Sequence, residues 1–290
     1  MASVLESQAA LKQRALVALT KLPPFSPILN KLLASLAGED VSFAKIGDLI
    51  EKDTVVAGNV LRLVNSALHG RTGNINSVRH ALSILGVDKV RNAVLGMSIS
   101  RMWNQVRTPP GWSMARFNMH SASVAILSDL MAQRLPVLYP EGAFVAGLFH
   151  DLGRLLVAMG LPEEFELVLQ QYRHTDHAWV DCEQEILGFT HAELSADALA
   201  EWRLPEPIQQ AARYHHDPEP FEPSGSIPLS RVLDAASRYA NSMGDSILTE
   251  QKNDASGAAW IESFGLAPEV VERLVADYDA EHKAMAQFFR

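Results

Sequence analysis

A histidine and an aspartate lie side by side in the apolar segment AGLFHDLGRL, which covers residues 146–155. His150 and Asp151 follow Leu148 and Phe149, and burying a polar side chain costs free energy unless it gains a partner. Imidazole nitrogens and carboxylate oxygens are common ligands of divalent transition metals. The pair therefore indicates a possible metal site, and its role depends on which similar residues the chain can bring to it.

Further histidines and one aspartate form an ordered series with this pair, on separate predicted helices. His120 shares a helix face with Phe117 and Val124, at spacings that place its imidazole on the buried side. His191 follows Thr190, which begins a capping-box pattern and so starts a helix. The candidate metal ligands are His120, His150, Asp151, His191, His215, His216 and Asp234.

Each candidate has an ordinary alternative when it is taken alone. A single histidine on a buried helix face is usually a hydrogen-bonded core residue. His215 and His216 end a predicted helix, where the helix dipole favours them. Asp234 has Arg238 four residues later, the spacing of a surface ion pair.

The series as a whole favours a centre for one or two divalent ions, namely Zn, Fe, Mn or Ni. Asp151 could bridge two ions and leave a water between them as a nucleophile. Arg154 lies three residues after Asp151 and four after His150, on the same helix face. We therefore predict that Arg154 contacts a phosphate group beside the metal.

The composition is typical of a folded, globular protein, and the sequence predicts a cytoplasmic location. The chain has 290 residues, of which 48% are hydrophobic and 20% charged, as in globular proteins. Its single cysteine, Cys182, cannot form an internal disulfide, which fits a reducing compartment. The N-terminus lacks the pattern of a signal peptide, and we expect no segment with the roughly 20 apolar residues that span a membrane.

Charge is divided unevenly along the chain. The net charge is −9, yet residues 54–128 contain one acid and eight bases. This asymmetry predicts an anionic ligand, an acidic signalling partner, or docking against acidic parts of the same chain, with Arg71 and Arg79 as contact residues. A solvated basic face is the alternative. Nucleic-acid binding ranks below these because the pI is about 5.6.

Helical periodicity dominates the chain and predicts an all-α protein. Ser26 and Pro27 are predicted to start a helix that stops at Gly38, and Asp53 and Asp88 are predicted caps of later helices. The stretch RTPPGWS at 107–113 is the strongest break and sets a boundary between parts 1–108 and 109–290. In the second part, the helices predicted over 142–159 and 206–216 carry the adjacent ligand pairs His150–Asp151 and His215–His216.

The motif HDLGR, with the histidines and aspartate around it, resembles the HD superfamily of metal-dependent phosphohydrolases. The N-terminal half is more specific. LPPFSPILNKLL, LIEKDTVVAGNVLRLVNSALHG and INSVRHALSILGVDKVRNAVLGMSISRMW together resemble the HDOD domain, the HD-related output domain of bacterial signalling proteins. The resemblance covers about residues 20–245. It implies a helical bundle over 1–108, a degenerate HD-type bundle over 109–290, and a role in bacterial signal transduction.

Many HDOD proteins have lost their metal ligands, whereas this chain keeps a nearly full set that resembles the HD-GYP enzymes, which cleave cyclic di-GMP. It departs from them at three places. Arg154 stands where those enzymes carry a lysine, Arg116 stands where they carry a further carboxylate, and no Gly-Tyr-Pro motif follows His216. These departures argue against hydrolysis of cyclic di-GMP.

Two functions follow. We favour a signalling output module that binds a protein or a small anion, with any metal as a structural clamp. The alternative is an active metal-dependent phosphohydrolase that acts on a nucleotide or phosphate ester.

Overall fold

The computed structural model describes residues 7–37, 43–67, 75–218, 225–248 and 257–289 of the chain. These residues are predominantly helical. Within these ranges no β-strand is present, and one isolated parallel bridge joins Val137 to Ile227. The all-α prediction is confirmed.

The helices before the 107–113 break belong mainly to a first bundle. They are α1 (Gln8–Val17), α2 (Pro27–Ala34), α3 (Phe43–Glu51), α4 (Thr54–Ala67), α5 (Val78–Leu85) and α6 (Val87–Trp103). Ser26 caps α2 as predicted, since its hydroxyl accepts a hydrogen bond from the backbone N–H of Leu29. The Asp53 carboxylate caps α4 by accepting from the N–H groups of Val55 and Val56.

One predicted cap in this part is wrong. Gly86, with φ of 84°, alone separates α5 from α6, so α6 starts at Val87. Asp88 therefore lies inside the first helical turn, where it pairs with Arg91 at 3.2 Å. The predicted stop at Gly38 and most of the predicted turn over 69–77 lie outside the described residues.

The second bundle follows the break. Its helices are α7 (Met114–Ala132), α8 (Ala143–Phe149), α9 (Leu152–Gly160), α10 (Pro162–His174), α11 (Trp179–Leu187), α12 (His191–Glu201), α13 (Glu206–Arg213), α14 (Leu229–Ser242), α15 (Gly257–Glu262) and α16 (Pro268–Ala286). Helices α7, α8, α9, α12, α13 and α14 pack on one another and form the core of this bundle.

Two helices are shorter than predicted, and both changes concern candidate ligands. The helix expected over 142–159 is interrupted at His150 and Asp151, where Asp151 has φ of −101° and ψ of 12°. The helix expected over 206–216 ends at Arg213, because Tyr214 leaves the helical region. His215 and His216 therefore lie in the turn that follows. Periodicity alone does not reveal these interruptions, since the apolar pattern continues through them.

The apolar segment 140–160 is longer than any that we expected from the sequence. By length and composition they could cross a membrane, with a mean hydropathy of 1.3 over the best window. However, 94% of that window is buried inside the protein. The segment contains α8 and α9, which are central helices of the second bundle.

Helices at both ends of the chain cross the predicted boundary. Helix α1 packs on α9, α11 and α12 of the second bundle, and Lys12 of α1 lies 2.8 Å from Asp197 of α12. Helix α16 packs on α4 of the first bundle as well as on α7. The division into 1–108 and 109–290 remains a prediction, and these two helices tie its parts together.

A close crossing of α7 and α8 gives a testable consequence. A Cβ atom added to Gly147 would lie 2.6 Å from the Cα atom of Ala125. We expect Gly147→Ala to lower the free energy of unfolding by about 1–3 kcal/mol, as overpacking does. Gly58 is the control, because it is exposed on α4 with no atom within 4 Å of an added Cβ. Gly58→Ala should raise stability by about 0.5–1 kcal/mol. Equal urea unfolding curves for both variants would contradict this packing.

Candidate metal centre

The structure brings together six of the seven predicted ligands at the break between α8 and α9. They form two groups, in each of which the donor atoms lie within 4.8 Å of one another. The first group contains His120, His150 and Asp151, and the second contains Asp151, His191, His215 and His216. Asp151 belongs to both groups, so its carboxylate is the centre of the cluster.

Each oxygen of Asp151 faces a different group. Oδ2 lies 3.5 Å from Nε2 of His120 and 3.5 Å from Nε2 of His150. Oδ1 lies 2.9 Å from Nε2 of His191 and 3.6 Å from Nε2 of His215. Each oxygen of Asp151 could therefore serve as a ligand together with a different group of imidazoles.

Backbone geometry explains how distant segments reach this point. Thr190 caps α12 by accepting from the N–H of Glu193, which places His191 in the first turn. Gly153 at the start of α9 lies directly against that turn, and a Cβ on it would be 2.1 Å from the carbonyl oxygen of His191. Its N–H donates to the hydroxyl of Ser195 at 2.8 Å. Only a glycine permits this approach of α9 to α12.

Four of the imidazoles are oriented in the same way, with Nδ1 held by an outer acceptor and Nε2 pointing inward. Three of these acceptors are backbone carbonyls, and a fourth is a carboxylate. Nδ1 of His120 lies 2.7 Å from the carbonyl of Asp245, that of His150 lies 2.8 Å from the carbonyl of Gly147, and that of His215 lies 2.7 Å from the carbonyl of Ala212. Such contacts place the proton on Nδ1 and leave the Nε2 lone pair for a metal.

Glu183 is the fourth acceptor, and the sequence analysis did not identify it. Its Oε2 accepts from Nδ1 of His191 at 2.6 Å and from the backbone N–H of His191 at 2.9 Å. Its Oε1 accepts from Nε1 of Trp179 at 2.6 Å. The available signal was its position, because Glu183 shares the buried face of α11 with Trp179 and Leu187.

Burial and charge set the protonation of the cluster. Burial lowers the pKa of His120 and lowers that of His150 well below the usual value, so both rings are neutral at pH 7. Burial raises the pKa of Asp151, but Arg154 and the surrounding imidazoles offset this and hold it well below its usual range. Burial also lowers the pKa of His191, but Glu183 and Asp151 outweigh this and raise it. Metals bind the neutral imidazole and the ionised carboxylate, so a metal at His191 would compete with a proton.

Unsatisfied atoms show that the donor set fits a cation. Within the described residues, Nε2 of His215 is buried without a hydrogen bond, whereas Oδ1 of Asp151 meets only Nε2 of His191 and Nε of Arg154 at short distance. The Nε2 atoms of His120 and His150 are 3.3 Å apart, and one could donate to the other only if its ring carried a second proton. The lowered pKa values of both rings oppose that state. A divalent ion of the kind that prefers nitrogen and oxygen ligands fits these residues.

Asp234 is the predicted ligand that the structure does not bring to either group. Its carboxylate pairs with Nε of Arg238 at 2.6 Å, the i+4 alternative considered from the sequence. The Arg238 guanidinium also lies over the ring of Trp260, 4.3 Å from its centroid. Metal ligation by Asp234 stays a prediction.

Arg154 lies at the cluster, as its spacing predicted. Its Nε is 3.2 Å from Oδ1 of Asp151, and its guanidinium lies 5.4 Å from the centroid of the Trp179 ring. The side chain is only 9% exposed. Its charge thus compensates Asp151 directly, and contact with a phosphate stays a prediction.

The two arginines predicted to bind a partner lie far from this cluster in the sequence. Arg71 is outside the described residues. Arg79 pairs with Asp48 at 2.5 Å and lies 3.8 Å from Glu51, both on α3. Acids of the same chain therefore already meet the charge of Arg79, one of the outcomes expected from the sequence.

Comparisons with known proteins agree with this architecture. A model of the HDOD domain matches residues 22–218. The chain belongs to the HDOD family. The six clustered residues, from His120 to His216, all lie inside the matched span, whereas Asp234 and Asp245 follow it.

Solved structures show the same HDOD fold at low sequence identity. An HDOD domain protein of unknown function from Geobacter sulfurreducens is 22% identical, with a TM-score of 0.73 and 98% of each chain covered. A candidate phosphohydrolase from Shewanella amazonensis SB2B is 23% identical, with a TM-score of 0.72 and coverage of 96% of this chain and 98% of that one.

Two further relatives are longer than the region they share with this HDOD chain. A candidate signal transduction protein from Marinobacter aquaeolei VT8 is 22% identical with a TM-score of 0.69, over 99% of this chain and 67% of that one. An uncharacterized protein from Treponema pallidum (strain Nichols) is 24% identical in an alignment of 220 residues, which covers 70% of this chain and 40% of the relative.

Glu183 gives a prediction about metal affinity. Glu183→Gln keeps the size of the side chain but removes the charge that holds the Nδ1 proton of His191. We expect the affinity for a divalent metal to fall by about 10–100-fold, the usual effect of losing such an outer partner. The measurement is calorimetric titration with Mn²⁺ and Zn²⁺.

The matched control is Glu185→Gln, two positions along α11. Glu185 is exposed and interacts with Gln171 and His177, away from the cluster. Its replacement should leave metal affinity unchanged. Equal affinities for the two variants would show that Glu183 does not orient His191.

Proposed function

We propose that this protein is a cytoplasmic HDOD signalling module whose second bundle is held together by a divalent metal centre, and that it acts by binding another signalling protein. The observation that carries the proposal is the enclosure of the donor set. Asp151, His150, His191 and His215 have side chains exposed by 2% or less, and His216 alone among the grouped residues reaches the surface. Buried ligands from several helices suit a structural clamp.

The residues that would hold the metal are those of the two groups, with Asp151 shared between them. A bound ion supplies positive charge that neutralises Asp151 and engages the inward Nε2 lone pairs. The chain itself fixes the rings from outside through the three carbonyls and Glu183. Because α7, the α8–α9 break, α12 and the turn after α13 each contribute a donor, the ion would join four segments of one bundle.

Family membership supports the signalling part of the proposal. The resemblance to bacterial output domains agrees with the HDOD match, and a structural neighbour is a candidate signal transduction protein. The excess of bases over residues 54–128 supports an acidic partner surface, since charge complementarity accelerates association, although Arg79, Lys89 and Arg91 already pair within the chain.

Chelation tests the structural metal. Protein purified with its metal should melt at a lower temperature after treatment with a chelator, because a ligand bound only to the folded state stabilises it. At a metal concentration 100 times Kd this stabilisation is about 2.7 kcal/mol. His150→Ala should remove the response to chelator, as measured by differential scanning calorimetry together with elemental analysis.

His177→Ala is the control for that experiment. His177 is exposed, pairs with Glu185 and lies outside the two groups. It should keep both the metal content and the response to chelator. Identical melting curves with and without chelator in the parent protein would reject a structural metal.

A second function, hydrolysis of a phosphate ester, is favoured by a specific observation. The two oxygens of Asp151 face separate histidine groups, and the Arg154 guanidinium lies beside them. Two bridged cations next to an arginine would suit an attacking water and a phosphate. Against this, Arg154 is largely buried.

An activity assay separates the two functions. We expect no hydrolysis of p-nitrophenyl phosphate or cyclic di-GMP in the presence of Mn²⁺, Fe²⁺ or Ni²⁺ above the rate of His150→Ala. The enclosure of the cluster is the physical reason, since a substrate must reach the metal. Turnover in the parent that is lost in both His150→Ala and Arg154→Ala would instead establish the hydrolase.

A further inference from the structure

A cavity of about 740 Å³ lies between the two bundles, away from the metal cluster. Helices α4, α5 and α6 form one side of it, and α7, α8 and α16 form the other. Its volume is within the range of about 300–1,000 Å³ that small-molecule sites occupy, and such sites are common at domain interfaces. The metal-centre proposal does not use this cavity.

Apolar side chains make up much of its wall. The apolar part of the wall consists mainly of Leu63 on α4, Ile126 on α7, Phe144 on α8 and Met285 on α16, all of which are buried. An occupant that fills this region must therefore carry a compact apolar group, which gains free energy by leaving water.

Most charges at the cavity are already paired within the chain. Nζ of Lys89 lies 2.5 Å from Oε1 of Glu281, and Arg134 pairs with Asp277. The first pair joins α16 to α6, and the second joins α16 to the turn after α7. They neutralise two acids of the wall, and the other charged side chains that line the cavity are Asp129 and the exposed Lys283.

Asp129 is different. Its carboxylate lines the cavity and accepts from the side-chain amide of Gln133 at 2.8 Å, but within the described residues no lysine or arginine nitrogen lies at ion-pair distance. Burial and the nearby Glu281 raise the pKa of Asp129 to about 6, despite the opposing charge of Arg91. A carboxylate that is poorly solvated and lacks a cationic partner favours a cation from outside.

We propose that this cavity binds a small organic cation, in which an ammonium group contacts Asp129 and a compact apolar group packs against Ile126 and Phe144. Leu63 of α4 and Asn92 of α6 line the same cavity, so the ligand would also face the first bundle. It would add the counterion that Asp129 lacks, at a position where the surrounding wall excludes water from one side of the carboxylate.

The test uses three probes of similar shape on the full-length protein. They are 2-phenylethylamine, the neutral 2-phenylethanol and the anionic 3-phenylpropanoate, with Kd measured by calorimetry and by NMR chemical shifts. We expect the amine to bind at least about tenfold more tightly than the alcohol, since a hydrogen bond between charged groups is stronger than a neutral one. The anion should bind most weakly.

Two variants locate the binding. Asp129→Asn should remove the preference for the amine, whereas Asp88→Asn, which alters an exposed acid on α6, should keep it. Ala284→Leu adds volume to the α16 wall and should weaken all three probes. Amine binding that is unaffected by both Asp129→Asn and Ala284→Leu would overturn the proposal.

The order of the probes is equally decisive. Tightest binding of the anion would assign the cavity to acids, with Lys283 at its wall as the contact, and would overturn the proposal. Equal binding of amine and alcohol would show a merely apolar site and would overturn it too.

Affinity for the amine should also depend on pH. A proton on Asp129 competes with the ammonium, and the pKa of about 6 means that affinity falls as the pH drops from 7 to 5. The amine itself stays charged throughout this range. Asp129→Asn should make the affinity independent of pH. The charged and polar groups around Asp129 are Arg91 and Asn92 on α6, Gln133 directly after α7, and the cavity-lining residues Lys89, Asp277, Glu281 and Lys283.

A pH profile that is unchanged in Asp129→Asn would assign the dependence to one of those neighbours and overturn the contact with Asp129.

Discussion

Asp151 carries a negative charge at a point where its side chain is 2% exposed, and the second bundle is arranged around the compensation of that charge. A buried carboxylate is costly unless opposite charge or hydrogen bonds surround it. Arg154 supplies a fixed positive charge on one side, and inward-facing imidazole nitrogens surround the rest. Because these rings come from separate segments, the packing of the helices determines which donor atoms surround Asp151.

Close contact between the backbones of neighbouring helices is the second requirement for bringing these rings to Asp151. Gly147 lets α8 approach α7, which carries His120, and Gly153 lets α9 approach the start of α12, which carries His191. Both glycines flank the break that contains Asp151. A side chain at either position would push apart the helices that carry the clustered histidines, so the packing of the core and the geometry of the cluster depend on the same glycines.

Helix α16 connects the histidine cluster around Asp151 to the first bundle. Nε2 of His282 on this helix lies 2.8 Å from the carboxylate of Asp245, which also accepts from the hydroxyl of Ser123. The backbone carbonyl of Asp245 in turn holds the ring of His120. The same helix lines the cavity between the bundles and pairs with Lys89 of α6. One continuous set of contacts thus runs from the first bundle to His120 of the cluster.

The sequence by itself determined the helical class and the histidine series, because helix periodicity and ligand chemistry are local properties of residue type and spacing. Only the tertiary structure decided the break at Asp151, the outer role of Glu183 and the position of Asp129 in a cavity. Each of these depends on contacts between segments far apart in the chain, which spacing does not encode. Asp234 illustrates the same dependence on tertiary structure. The sequence allowed either an ion pair with Arg238 or a place in the histidine cluster, and the folded chain pairs Asp234 with Arg238.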